Sequence, residues 1–139
     1  MSDACANDPV GLILTLADQL HHQLEHVTRR IGLTAPQAKL LVHLDEPCRM
    51  SDLAGQQSCD PSSITSLVDR LERDGLVKRG ADPDDGRVRL VTLTAAGRRM
   101  RQRFLDEVST MPDPFASLTA DQRSALVVRL QVPEGTPTT

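Results

Sequence analysis

The stretch DPSSITSLVDRLERDGLVKRGADPDDGRVRLVTLT, residues 60 to 94, constrains the fold more than any other part of this chain. Its first half repeats apolar residues at Ile64, Leu67, Val68 and Leu71, the spacing of a helix with one buried face. Asp60 is placed to cap that helix, Pro61 to begin it and Gly75 to stop it. The second half changes period. LVKR and VRLVTL are short β-rich runs, and GADPDDG between them carries turn formers and no core residue.

Upstream, TAPQAKLLVHL opens with Thr34 and Gln37 at capping-box spacing and Pro36 in the first turn, predicting a helix to about residue 46 that Pro47 closes. Ser51 is the expected cap of a short helix, DLAGQQ, followed by the turn SCD. Two helices joined by a few turn residues, the second polar on its outer face, form a helix-turn-helix. With a hairpin directly behind it the expected fold is mainly α with a small β-hairpin wing, a winged helix-turn-helix. In such a fold the second helix enters the major groove of double-stranded DNA, and the hairpin lies along the flanking backbone and minor groove.

The outer face of residues 61 to 73 has the right chemistry for a groove. Ser62, Thr65, Ser66, Asp69 and Arg73 lie opposite the apolar stripe, with Ser63 and Arg70 at its edges. Hydroxyls near a helix N-terminus are small, bond bases or phosphate, and sit where backbone N–H groups also attract phosphate. With no Asn, Gln or Lys on the contact half, bidentate base reading falls to Arg70 and Arg73. In the hairpin, Asp85 and Arg87 are two apart, so on a strand beginning there the carboxylate would hold the guanidinium in one rotamer, aimed at a narrow minor groove. Arg89 would point the same way, toward phosphate. Asp82 and Asp84 are expected to shape the turn around Pro83, with Gly86 at positive φ. The blander alternatives are a solvated helix face and a surface ion pair with no role in binding.

Net charge looks unhelpful at -3 until it is divided along the chain. Residues 61 to 103 hold 10 Lys and Arg against 6 Asp and Glu, leaving 6 against 13 elsewhere. The body is acidic and the winged region basic, which is the local footprint of a nucleic-acid binder.

The flanks read as helices. The first spans residues 9 to 31, with Asp8 and Pro9 as cap and first turn, Gly32 as stop, and a stripe of Ile13, Leu16, Leu20, Leu24, Val27 and Ile31. Thr94 caps another, carrying Met100, Phe104, Val108 and Met111 and ended by Pro112. Thr119 and Gln122 form a second capping box before a last helix through Leu130. So small a body offers little to cover these stripes. Residues 1 to 8 and 133 to 139 are small and polar, the second stretch also holding Pro133 and Pro137, and both are expected to be disordered tails. MSDACANDPVG has acids where a secretory signal is basic, and LILTLADQL is too short to span a bilayer, so a cytoplasmic protein with no membrane partner is expected.

Other functions find little support. There is no Gly-rich phosphate loop, no GxSxG and no metal cluster, so neither an enzyme nor a cofactor is expected. His22 and His26 share a helix face beside Glu25, but residues 95 to 111 contain no His to complete a site, and no bound metal is expected. Cys5, Cys48 and Cys59 form no CxxC pair and are expected to be free thiols. Cys5 falls in a tail and Cys48 in a loop. Cys59 lies just before the cap of the reading helix, where oxidation would displace that helix, but an inert small residue in a turn is the favoured reading.

The run from Met50 to Gly97, MSDLAGQQSCDPSSITSLVDRLERDGLVKRGADPDDGRVRLVTLTAAG, resembles the DNA-binding core of the MarR family of bacterial transcription regulators. LVDRLERDGLVKR, a D-x-R in the wing, and LT followed three residues later by Gly recur there, and the similarity extends over residues 34 to 97. The resemblance implies a homodimer whose arm is built from residues 9–33 and 95–132, with residues 34–94 as the winged helix-turn-helix. Two reading helices would then meet successive major grooves of a pseudo-palindromic operator about 34 Å apart. It also implies a repressor of its own or a neighbouring gene, released by a small molecule or by cysteine oxidation. A ligand pocket between arm and winged helix would be lined by residues such as Leu16, Leu20, His43 and Met100. Gly86 departs from the family pattern, standing where a first wing Arg is frequent, which removes one backbone or groove contact. The alternatives are a thiol-based sensor using Cys59 and a winged helix that contacts protein without binding specific DNA.

Overall fold

The computed structural model describes residues 9–57 and 60–130. The chain runs α1 (Pro9–Ile31), α2 (Ala35–His43), β1 (Cys48–Arg49), α3 (Met50–Gln56), α4 (Pro61–Arg73), β2 (Val77–Ala81), β3 (Arg89–Leu93), α5 (Ala95–Ser109) and α6 (Ala120–Leu130). Both capping boxes form. Thr34 accepts from the Gln37 N–H while the Gln37 side chain accepts from the Thr34 N–H, and Thr119 and Gln122 do the same ahead of α6. Gly32 and Gly75 close α1 and α4 at φ +79° and +73°, a conformation that costs a Cβ-bearing residue about 1 kcal/mol or more.

Three elements differ from the sequence expectation. α2 ends at His43, three residues short of the predicted end: Leu44 is its C-cap, and the chain turns there because Pro47 disfavours helical backbone before it. α3 begins at Met50 with Arg49 as N-cap and no side-chain capping bond, so Ser51 lies inside the helix rather than capping it. Cys48 is not in a loop. With Arg49 it forms a third strand, Cys48 pairing with Val91 and Arg49 with Leu90, and the wing is the antiparallel sheet β1-β3-β2.

The core is made where these elements meet. Leu40, Leu41, Leu53, Ile64, Val68, Leu71 and Val91 are at most 1% exposed, each contributing about 1.5–3 kcal/mol by burial. Val27 and Ile31 of α1 and Phe104 of α5 join the same cluster. Along α1 the stripe is covered only toward its C-terminus: Ile13 is exposed, Leu16, Leu20 and Leu24 are half-buried, and Val27 and Ile31 are buried.

A tight junction sets the direction in which α5 leaves the wing. The Thr94 hydroxyl donates to the Gly75 carbonyl at 2.6 Å and accepts from the Gly97 N–H at 3.0 Å, while the Thr94 N–H donates to the Leu76 carbonyl at 3.0 Å. A Cβ on Gly97 would lie 1.9 Å from the Leu76 carbonyl oxygen, so only glycine lets the helix approach this backbone. Among the described residues no helix is long and apolar enough to cross a membrane. The two expected tails and the Asp8 cap lie outside the described residues.

Candidate nucleic-acid interface

α4 is amphipathic in the way its sequence requires. Ile64, Val68 and Leu71 face the core, and Ser62, Ser63, Thr65, Ser66, Arg70 and Arg73 are all exposed. Asp60 caps the helix through the Ser63 N–H at 3.4 Å. Its carboxylate also accepts from the Ser62 hydroxyl and, at 2.7 Å, from the Ser63 hydroxyl. These bonds, that from Ser62 foremost and that from Ser63 next, lower the Asp60 pKa to about 2, so the cap is ionised throughout the neutral range. Thr65 donates to the Pro61 carbonyl at 2.9 Å. Three hydroxyl protons are therefore turned inward, leaving lone pairs outward, while Ser66 donates to no protein group among the described residues. Ser62, Ser63, Ser66, Leu67 and Arg70 line an open recess of about 360 Å³.

The wing stands beside this helix. β2 and β3 pair from Val77 with Leu93 to Ala81 with Arg89, and the connecting loop is closed by the Asp82 N–H donating to the Val88 carbonyl at 2.9 Å. Asp82 accepts from the Asp84 N–H at 2.9 Å, as the turn reading expects, and also faces Arg49 of β1 at 4.0 Å. The other wing expectations are corrected. β3 begins at Arg89, so Asp85 and Arg87 belong to the loop, and the Asp85 carboxylate accepts from the backbone N–H of Arg87 at 3.0 Å instead of holding its guanidinium. Gly86 is not among the glycines at positive φ. Asp85 thus shapes the loop, and the Arg87 side chain is exposed with no ion pair among the described residues.

One residue absent from the sequence reading joins helix and wing. Arg79 of β2 places Nη2 2.5 Å from Asp69 Oδ1 and Nη1 3.2 Å from Glu72 Oε1, and its backbone N–H donates to Glu72 Oε2 at 3.0 Å. The available signal was two carboxylates, three apart, on the otherwise basic face of α4.

The proposed ligand residues do not share a described recess. Leu16 and Leu20 are half-buried on α1, His43 is exposed at the end of α2, and Met100 packs against the core. One recess of about 440 Å³ is lined instead by His21, Glu25, Thr28, Arg29 and Leu33 with the start of α2, and another of about 350 Å³ by His22, His26, Val27, Arg30 and Met111. His22 faces Glu25 at 4.0 Å, and no group of three metal-ligating side chains occurs among the described residues. Cys59 lies outside the described residues. Burial first, then the charges of Asp52 and Glu46, raise the Cys48 thiol pKa, which makes it a poor oxidant sensor.

With this geometry the comparisons agree. The MarR family model matches residues 33–88, from the start of α2 to the wing loop. An HTH-type transcriptional regulator of Bacillus subtilis (strain 168), YxaD, is 31% identical, the alignment covering 88% of this chain and 93% of the relative. The chain belongs to the MarR family. Its members are transcriptional regulators and not enzymes. The chain is also similar to the HTH-type transcriptional repressor YetL of the same organism, 30% identical over 78% of this chain and 66% of that one. It spans about half to two thirds of the length of some curated relatives, 54% in one case. Among solved MarR-type structures, CouR from Rhodococcus jostii RHA1, bound to p-coumaroyl-CoA, superposes with a TM-score of 0.80 at 27% identity, covering 92% of each chain.

Proposed function

We propose that this MarR-family chain acts as a homodimeric, cytoplasmic, sequence-specific binder of double-stranded DNA that represses its own or a neighbouring gene. The observation carrying this is the row of exposed Ser62, Ser63, Thr65, Ser66, Arg70 and Arg73 on α4, flanked by a wing that presents Arg87 and Arg89. The hydroxyls and arginines suit base edges and phosphates in the major groove, and the wing arginines suit the adjacent minor groove and backbone. Dimerisation is supported by exposed apolar side chains on the first and last helices: Val10, Leu12, Ile13 and Leu14 on α1, and Val127 and Val128 on α6, each more than half exposed. Residues 9–33 and 95–132 form the arm in this reading, and 34–94 the reading unit. CouR binds p-coumaroyl-CoA, and the recess between α1 and the start of α2 is where an effector of this chain would enter between arm and winged helix.

The test is a competition gel shift on DNA from immediately upstream of the chain's own gene, repeated across a salt series. A specific DNA binder keeps its shift against excess unrelated DNA and weakens steeply with salt through counterion release. A shift abolished by competitor, or insensitive to salt, contradicts the reading and favours a protein-contacting winged helix.

A further inference from the structure

Asp69 and Glu72 are two carboxylates on the helix proposed to lie against a polyanion, and unneutralised they would repel phosphate. Both are turned toward one residue. Arg79 spans them with its two terminal nitrogens, at 2.5 Å and 3.2 Å, and takes the second Glu72 oxygen with its own backbone N–H. The guanidinium side chain is 24% exposed, whereas Asp69 and Glu72 are 51% and 42% exposed. Arg79 is therefore sunk between helix and strand, with little of its charge left for DNA. Its register opposite the buried Val91 fixes the backbone from which it reaches.

Building on the DNA-binding reading above, we infer that Arg79 is a positioning residue for that interface: it draws both acids to the β2 side of α4 and neutralises them, so that Arg70 and Arg73 dominate the charge the helix presents. Arg70 and Arg73 have no ion pair among the described residues, so the helix's two acids are bound to the wing and its two bases are left outward. This acts on any duplex. It tunes overall affinity through the charge the helix presents, whereas sequence preference comes from base contacts by the α4 hydroxyls and arginines and from Arg87.

The experiment compares the wild-type chain with Arg79→Gln, with Asp69→Asn/Glu72→Gln, and with the triple combination, by fluorescence anisotropy on specific and unrelated duplexes at two salt concentrations. Arg79→Gln is expected to weaken binding to both duplexes about tenfold at low salt, with a smaller loss at high salt where the freed acids are screened. Neutralising the acids in the triple variant is expected to recover binding to within about twofold of wild type. The double variant, which leaves Arg79 free to meet phosphate, is expected to bind at least as tightly as wild type, and it reports even if Arg79→Gln does not fold. A triple variant as weak as Arg79→Gln, or a double variant weaker than wild type, overturns the inference and assigns Arg79 a purely mechanical hold on the wing. Failure of the wild-type chain itself to bind DNA is a separate result, and overturns the DNA-binding reading first.

Discussion

Gly97 is the residue whose identity the structure dictates most narrowly. Its Cα faces the Leu76 carbonyl so closely that a methyl group would sit 1.9 Å from the oxygen, and the obstacle is backbone, which cannot rotate away. Gly97→Ala is expected to destabilise the fold by about 1–3 kcal/mol despite alanine's better helix propensity, read as a lower denaturant midpoint at unchanged slope. An unchanged midpoint would mean the junction is looser than described. Arg87 is the opposite kind of residue. It is exposed and held only through its backbone, so it contributes little to the fold. Arg87→Ala is expected to lower specific DNA affinity about tenfold and nonspecific affinity much less, if Arg87 reads minor-groove shape as proposed. Equal losses on specific and unrelated duplexes would assign it to phosphate contact alone.

At the scale of elements, how much could be read from sequence depended on whether the signal was local. α1, α4 and α6 span the predicted residues because their signals are local: proline at the first position and apolar spacing in α1 and α4, the Asp60 cap in α4, and the Thr119–Gln122 capping box in α6. β1 was invisible: two residues carry no alternation, and Cys48 and Arg49 are a strand only because β3 pairs with them. The start of α3 at Met50 follows from the same pairing, which holds Cys48 and Arg49 in extended backbone. In the wing, the spacing of Asp85 and Arg87 correctly linked the two residues but not the atoms. A carboxylate two residues before an N–H closes an Asx-type turn more cheaply than it fixes a long, exposed guanidinium. The Arg79 clamp joins residues seven and ten apart across two elements, and no periodicity within either element announces it. The exposed row on α4 was legible because an amphipathic helix reveals its outer face as soon as its inner one is known.

For the molecule as a whole, charge and apolar exposure are segregated. The basic stretch from 61 to 103 gathers α4, the β2–β3 hairpin and the start of α5, whereas the exposed large apolar residues among those described lie toward the start of α1 and the end of α6. α5 connects the two regions, rooted at Thr94 and Gly97 on the wing side and paired to α1 by Glu107 and Arg30 at 3.4 Å. In the proposed dimer, a small molecule entering beside α1 would bear on this connection, and through it on the distance between the two reading helices. That distance is the central claim, and hydroxyl-radical footprinting of the purified protein on its upstream DNA measures it most directly. A dimer with two reading helices gives two protected patches related by two-fold symmetry, their centres about one helical turn, roughly 10 base pairs, apart. A single protected patch, or uniform protection without symmetry, would contradict it.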